Sequence, residues 1–299
     1  MTGFGSQFDT RCEIAPRFRP TSPVADPGRT HKVCGVGSRR EVWADGAAYE
    51  AYVGRWSREV AGRFVRWLDV PTGRCWLDVG CGTGALTGWV LALAEPARVV
   101  GVDPSGGFLA AARAGIGDPR ASFLVGSAVA LPLSDRSMHA VVGGLALNFV
   151  PDPAGAVAEF ARITVPGGVV GAYVWDYAEG MAMMRHFWDA AIDLDPAAAD
   201  RDEGSRFSVC RPDPLTRLWT DAGLGDVRVE PIDIATAFTD FDDFWNPFLG
   251  GQGSAPGYVT SLPDEHRRAL RDLLRSRLPA DVDGRVHLTA RAWAVRGTT

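Results

Sequence analysis

The fold is indicated most clearly by one stretch, Trp76-Leu77-Asp78-Val79-Gly80-Cys81-Gly82-Thr83-Gly84-Ala85-Leu86-Thr87. In this stretch an apolar run is followed by alternating glycines and then by a pattern typical of a helix. This order predicts a strand, a tight turn and a helix. Glycine at every second position allows positive φ and leaves main-chain N–H groups open to a ligand. The helix expected over 85–95 points its positive N-terminus at the same place. The stretch therefore predicts a site for a nucleotide-like ligand.

Two ligand classes fit this turn and the acid that follows it. Gly80-x-Gly82-x-x-Ala85 satisfies the dinucleotide fingerprint with alanine in third place. The next apolar run ends at Asp103, whose carboxylate can accept hydrogen bonds from both ribose hydroxyls. NAD and S-adenosylmethionine (SAM) both remain open at this point. The discriminating features are Asp78, two residues before the first glycine, and the sequence after Asp103.

Five segments in order resemble the motifs of the class I SAM-dependent methyltransferases, most closely the small-molecule "type 11" or ubiquinone/menaquinone-methyltransferase-like group. They are Asp78 to Gly84, Val102 to Ser105, Gly126 to Leu133, Val141 to Pro153, and Pro166 to Gly168. One such motif alone is a weak signal, whereas five in the family's order are a strong one. The resemblance extends over residues 45–296.

The resemblance implies a Rossmann-like α/β fold: a doubly wound, seven-stranded, mostly parallel sheet with an antiparallel last strand and a helical cap. It implies an enzyme that transfers the SAM methyl group to a small organic acceptor. The SAM-binding residues that it indicates are Asp78, Gly80, Cys81, Gly82, Gly84, Asp103, Pro104, Ser127, Ala128, Leu145 and Asn148. Ser127 departs from the family, where aspartate is common, so the adenine contact is expected to pass to the N–H of Ala128.

Strands and helices alternate along the chain, which independently predicts a parallel sheet with helices on both faces. The expected strands are 74–79, 98–103, 121–126, 138–145, 168–175, 226–234 and 288–295. The expected helices are 45–68, 85–95, 105–115, 153–163, 213–222 and 263–278. Ligands of such sheets bind beyond the carboxyl ends of the strands.

The helix before the first strand often closes over SAM in the resembled family. Tyr49, Tyr52 and Arg55 are therefore expected at the methionine end of SAM, with Arg55 meeting its carboxylate. Trp56 is expected to contact the acceptor. The competing interpretation is an amphipathic helix packed on the sheet.

Two segments, 177–211 and 236–285, are too long for simple connections and are rich in aromatic residues. Long excursions on the ligand side of a sheet usually carry specificity, so we expect both to form a cap over the acceptor. The residues predicted to contact the acceptor, besides Trp56, are Trp175, Trp188 and Trp245. The competing interpretation is that these aromatic side chains fill a core.

Two residues are candidates for a general base, which is needed only if the acceptor must lose a proton. His186 has an imidazole that can accept a proton near neutral pH. Asp176 follows the fifth expected strand directly and is the second candidate.

Composition and net charge narrow the classes of function that remain possible. The chain has 299 residues and a formal net charge of −5, which gives no reason to expect a nucleic-acid partner. The five cysteines contain no C-x-x-C pair, so we expect a cytoplasmic protein without a metal site. No apolar run is long enough to span a membrane.

Residues 1–40 show no apolar periodicity and are expected to be disordered, with a single domain over 41–299. The acidic balance disfavours an RNA or protein methyltransferase, and the later motifs disfavour an NAD-dependent oxidoreductase. A non-catalytic SAM-binding protein stays open, and the sequence leaves the oligomeric state unknown.

Overall fold

The computed structural model describes residues 50–251 and 253–299. The predicted disordered segment 1–40, the predicted helix start at Asp45 and the candidate Tyr49 lie outside these ranges. A single π-helical turn, Glu50–Gly54, leads into the first α-helix.

The described chain alternates strands and helices over most of its length. The strands are β1 (Cys75–Val79), β2 (Arg98–Asp103), β3 (Ala121–Val125), β4 (Met138–Gly144), β5 (Thr164–Trp175), β6 (Gly225–Phe238) and β7 (Val286–Thr298). The helices are α1 (Arg55–Leu68), α2 (Ala85–Leu93), α3 (Gly106–Gly115), α4 (Pro153–Ile163), α5 (Ala182–Leu194), α6 (Glu203–Arg206), α7 (Pro212–Asp221), α8 (Phe241–Trp245), α9 (Ser254–Ser261) and α10 (Asp264–Arg277). Short 3-10 turns lie at Leu147–Phe149, Pro196–Arg201 and Asn246–Gly250.

The strands form one seven-stranded sheet in the order β3-β2-β1-β4-β5-β7-β6. Strands β1 to β5 pair in parallel, whereas β7 pairs antiparallel with both β5 and β6. The predicted doubly wound sheet with an antiparallel last strand is therefore confirmed. The order reverses direction at β1 and β4, where a crevice opens beyond the carboxyl ends of the strands.

Strand register places the key side chains on two opposite faces. Asp78 pairs with Gly101 and Val142, so Asp78 and Asp103 point to one face of the sheet. Trp175 shares that face through the register of β4 with β5, and Asp176 follows it directly. The first face packs against α1, where the Phe64 ring centre is 4.8 Å from that of Tyr173.

The β6–β7 hairpin extends beyond the rest of the sheet. The last pair of β5 with β7 is Trp175 with Ala292, whereas β6 and β7 stay paired up to Phe238 and Val286. Buried and exposed residues alternate along this part of β6, so only one face of the hairpin is covered. The covered face packs against the segments after β5 and β6, and this packing accompanies the extension of β6 to Phe238 and the earlier start of β7 at Val286.

The cap has an aromatic core that joins segments distant in sequence. Phe187 of α5 stacks on Phe248 at 4.5 Å between ring centres. Tyr52, before α1, approaches the same Phe248 ring edge-on at 5.5 Å. Residues of both excursions therefore pack together and against the start of the first helix.

Candidate functional site

In the glycine turn after β1, all three glycines have positive φ, and one of them has open space where a side chain would be. Gly80, Gly82 and Gly84 have φ of 72°, 53° and 90°. A Cβ added to Gly80 would lie 2.5 Å from Cβ of Ala146, and one on Gly84 would lie 2.5 Å from Cδ1 of Ile116. A Cβ on Gly82 would meet no heavy atom within 4 Å. Packing therefore excludes side chains at the first and third glycines, whereas the second faces open space.

Asp103, at the end of β2, is held against this turn. Its Oδ2 accepts from the N–H of Gly82 at 3.0 Å, and its Oδ1 accepts from the N–H of Ser105 at 2.8 Å. The residue is only 6% exposed. Because each carboxylate oxygen can accept a second hydrogen bond, the group still has capacity for ligand hydroxyls.

Asp78, near the end of β1, is a buried carboxyl with one unpaired oxygen. Its Oδ2 accepts from the hydroxyl of Thr87 at 2.7 Å. Within the part of the chain that the structure describes, Oδ1 has no partner, and the residue is 1% exposed. Burial raises the pKa of Asp78 to about 7, although the hydrogen bonds from Thr87 oppose this rise. A positively charged ligand group beside Oδ1 would stabilise the carboxylate.

Cys81, inside the turn, carries a neutral thiol. Burial raises its pKa far above the usual range, and the carboxyls of Asp78 and Asp103 add to the rise. Cys81 therefore contributes its backbone to the site and no thiolate.

Three neighbouring strand ends carry buried polar atoms without partners. In the part of the chain that the structure describes, these atoms are Oδ1 of Asp78 near the end of β1, Nδ2 of Asn148 after β4 and Nε1 of Trp175 at the end of β5. Strands β1, β4 and β5 are adjacent in the sheet. Each unpaired buried group costs about 1–3 kcal/mol, so a ligand that pairs them would relieve this cost. The sequence proposed these three residues separately, and the structure places them on adjacent strands of the sheet or directly after them.

Leu145 shapes the crevice through its backbone. It follows β4 with a φ of 55°, which is unusual for leucine, and its N–H donates to the carbonyl of Tyr173 at 2.8 Å. The turn it makes places Ala146 against Gly80. The contribution of Leu145 that the structure shows is therefore the direction of its backbone.

The predicted adenine end is open to solvent. Ser127 is exposed, and its hydroxyl accepts from the N–H of Val129 at 3.4 Å, while Ala128 is half-buried and Pro104 is exposed. Val125 is 64% exposed, although it pairs with Asp103 and shares its face. An apolar side chain beside Asp103, the acid predicted to bind ribose, suits a purine ring. Val125 is not among the residues predicted from the sequence. The sequence signal that could have identified it is its position directly before Gly126, which begins the third of the five motifs.

Tyr52 and Arg55 face the cap. The Tyr52 hydroxyl donates to Sδ of Met184 at 2.9 Å. Nη1 of Arg55 donates to Oδ1 of Asp243, just after β6, at 2.9 Å. Both side chains therefore contact residues of the cap, and their predicted contact with the methionine end of SAM stays a prediction.

The two cap tryptophans lie in the aromatic core. Trp188 is fully buried, and its Nε1 donates to Oε2 of Glu203 at 2.5 Å. Trp245 is 3% exposed and packs near Phe248, with ring centres 6.2 Å apart. These contacts favour the competing interpretation, in which both residues fill a core.

The two candidate bases differ in their surroundings. His186 is half-buried on α5; burial lowers its pKa, and Asp189 partly opposes the shift, so its imidazole is neutral at neutral pH. Asp176 points to the sheet face opposite Asp78. Its Oδ1 accepts from the N–H of Glu179 at 3.1 Å, and its Oδ2 lies 4.0 Å from Nη1 of Arg291. Asp176 therefore stabilises a turn through its hydrogen bond with Glu179. His186 is in its neutral form, which can accept a proton.

Other features lie outside this crevice. A cleft of about 410 Å³ between α5, α9 and α10 includes Leu194, Tyr258 and His266, and it contains no predicted site residue. In the described ranges, no three His, Cys, Asp or Glu side chains are grouped as metal ligands. No helix within those ranges is both long and apolar enough to cross a bilayer.

Comparisons with known proteins show which proteins this chain is similar to. A family model described as a methyltransferase domain matches residues 77–171. An uncharacterized methyltransferase of Mycobacterium bovis is 39% identical over 165 residues, which cover 52% of this chain and 62% of that protein. The 2-phytyl-1,4-naphtoquinone methyltransferase of Thermosynechococcus vestitus is 37% identical over 106 residues, which cover 35% of this chain and 47% of that protein.

The fold also resembles solved structures. Phosphoethanolamine N-methyltransferase 2 of Haemonchus contortus, solved with phosphomonomethylethanolamine and S-adenosylhomocysteine, matches with a TM-score of 0.54 and 15% identity. The match covers 85% of this chain and 56% of that chain. The chain spans only 47% to 62% of the two curated relatives' lengths.

Proposed function

Because this chain contains a methyltransferase domain of the class I SAM-dependent family, we propose that it transfers the methyl group of SAM to a small organic acceptor. The observation that carries the proposal is the set of unpaired atoms at the carboxyl ends of β1, β4 and β5. Strand β1, which carries Asp78, leads directly into the glycine turn, where Gly82 faces open space. A ligand with both a cationic group and hydrogen-bonding atoms would pair these unpaired atoms, and SAM has both.

Three residues of the site would each contact a different part of SAM. Asp103 would accept from the ribose hydroxyls, and the exposed Val125 would be covered by adenine. The unpaired Oδ1 of Asp78 would face the positively charged end of the cofactor. When bound, SAM supplies a methyl group already activated by its sulfonium centre.

The chain's own contribution is mainly positioning. Strand ends and the glycine turn hold one reactant, and the cap holds the other, so that transfer proceeds in line. His186, neutral at neutral pH, is the proposed base if the acceptor must lose a proton. A crevice roofed by the cap would exclude water and would suit a small acceptor better than a folded macromolecule. The quinone methyltransferase among the relatives supports a small acceptor as well.

The test uses methyl-labelled SAM with the purified chain and a cell extract separated into small-molecule and macromolecular fractions. We expect label in the small-molecule fraction. Label in RNA or protein would contradict the small acceptor. SAM binding without any labelled product would indicate a non-catalytic binder, and binding of NAD in place of SAM would indicate an oxidoreductase.

A valine at Gly82 is expected to abolish SAM binding. The added Cβ would occupy the open space of the turn, and φ of 53° is unfavourable for a branched residue. Calorimetric titration with SAM checks this result. Gly88→Val provides the control, since a Cβ there also meets no heavy atom within 4 Å but lies in α2. Normal SAM binding by a folded Gly82→Val protein would remove the turn from the site.

SAM affinity is expected to rise with pH through the neutral range. The pKa of Asp78 is about 7 in the free protein, and a cation beside its carboxylate lowers that pKa, so binding below about pH 7 releases a proton. Affinity therefore increases from about pH 5.5 and levels off above about pH 8. Titration calorimetry in buffers of different ionisation enthalpy measures the released proton. Asp78→Asn should bind SAM more weakly and lose this pH dependence; an unchanged dependence would assign it to another group.

A further inference from the structure

The cleft between α5, α9 and α10 lies on the cap and contains none of the residues assigned to SAM or to the methyl acceptor. Its volume of about 410 Å³ is in the range of small-molecule pockets, about 300–1,000 Å³. Most of its lining is apolar and includes Leu194, Leu262 and Leu270, whereas Asp195, Tyr258 and His266 contribute polar side-chain atoms. Apolar walls with a small number of polar groups are typical of a site for a small organic molecule.

Asp195, the residue directly after α5, supplies a carboxylate to the cleft. Its Oδ1 accepts from the N–H of Ala197 at 3.1 Å, and its Oδ2 accepts from the Tyr258 hydroxyl at 3.4 Å, which is a long hydrogen bond. In residues 50–251 and 253–299 no basic side chain forms an ion pair with this carboxylate, whereas the nearby Asp193 pairs with Arg277 at 2.7 Å. Because a carboxylate has about four lone-pair positions, Asp195 can accept further hydrogen bonds from a ligand.

Tyr258 connects the cleft to the aromatic core of the cap. Its ring centre is 5.7 Å from that of Trp188 and 6.4 Å from that of Phe187. Burial raises the pKa of Tyr258 to about 12, and the Asp195 carboxylate adds to the rise, while Arg201 partly opposes it. The Tyr258 hydroxyl therefore stays protonated and donates to Asp195. This neutral donor leaves the negative charge of Asp195 to be matched by a ligand.

The cleft is separate from the crevice at the strand ends. Helix α5 begins at Ala182, shortly after the end of β5, and Leu194 is the last of its 13 residues. At a rise of about 1.5 Å per residue, the two residues are about 18 Å apart along the helix axis. A ligand in the cleft therefore occupies a site other than that of SAM or the methyl acceptor.

We propose that this cleft is a second ligand site and binds a small organic amine with an apolar body. The protonated amine would pair with Asp195, and the apolar body would lie against Leu194, Leu262 and the Tyr258 ring. Among the described residues that line the cleft, Asp195 is the one carboxylate, and there is no lysine or arginine. This charge favours a cation over an anion. The inference does not depend on the proposed function.

The test measures binding of tryptamine to the full chain by titration calorimetry, with tryptophol as its neutral match. Tryptamine has a protonated amine where tryptophol has a hydroxyl, so the comparison isolates the charge. Tryptamine is expected to bind at least about threefold more tightly, since only the amine completes an ion pair with Asp195. Its affinity should be the same with and without saturating S-adenosylhomocysteine, because the two ligands occupy different sites.

Three variants locate the amine in the cleft. Asp195→Asn should abolish the preference for tryptamine, because the amide keeps an acceptor for the N–H of Ala197 but loses the charge. Asp193→Asn is the matched control: it removes a nearby acid that pairs with Arg277 and does not line the cleft, so the preference should remain. Ala269→Phe should weaken binding of both compounds at least about tenfold, since its ring would fill part of the cleft.

Four results would overturn the proposal. Equal affinity for tryptamine and tryptophol, or no binding of either, contradicts an amine site and requires no variant. Tighter binding of indole-3-acetate than of tryptamine would show that the cleft selects an anion through His266. A preference that survives Asp195→Asn in a protein with a normal melting temperature would place the amine elsewhere. Displacement of tryptamine by S-adenosylhomocysteine would place it in the crevice.

Discussion

Asp103→Ala is expected to lower SAM affinity by at least about tenfold, because a carboxylate that accepts hydrogen bonds from ribose contributes about 1.5–3 kcal/mol per bond. The structure adds a second effect. The same carboxylate accepts from the N–H groups of Gly82 and Ser105, so its removal leaves two backbone donors unpaired. The variant should also lose about 1–3 kcal/mol of unfolding free energy.

Calorimetry and denaturant unfolding separate the two effects of this substitution. Asp103→Asn is the matched variant, because its amide oxygen can still accept one of the two backbone hydrogen bonds. It should recover part of the lost stability while SAM binding stays weak. An Asp103→Ala protein with unchanged SAM affinity would show that the acid serves only to hold the turn.

Trp188→Ala is expected to destabilise the protein by about 3–5 kcal/mol, the usual loss for a large aromatic residue removed from a core. Trp188 is fully buried, and its ring centre is 5.0 Å from that of Phe187. The truncation also leaves the buried Glu203 without the indole donor. Denaturant unfolding measures this loss.

The control for Trp188 is Trp89→Ala in α2, where the tryptophan is half-buried and the expected loss is smaller. The alternative, predicted from the sequence, is that Trp188 contacts the acceptor. Unchanged stability of Trp188→Ala, combined with a raised KM for the acceptor, would support that prediction against the core packing.

Local patterns in the sequence were enough to predict the glycine turn, the alternating elements and the two site acids. The expected strand 98–103 and helix 153–163 agree with β2 and α4 at both ends. These features depend on residues close together in the chain: apolar periodicity sets an element, and glycine sets a positive φ. The ends of β6 and β7 were missed because they depend on pairing between distant strands: the two strands pair with each other beyond the end of β5 up to Phe238 and Val286, and the last residues of β7 pair with the start of β5.

Tertiary structure alone decided which polar atoms are left without partners. Arg55 meets Asp243, 188 residues away in sequence, and that contact determines which edge of its guanidinium stays free. Trp188 meets Glu203 and the aromatic core of the cap, contacts that no local pattern in the sequence indicates, whereas its predicted contact with the acceptor stays a prediction. The sequence by itself determined the turn and the acids, because their geometry is local. The roles of Arg55 and Trp188 depend on long-range packing, which gives the same residue type either an exposed or a buried environment.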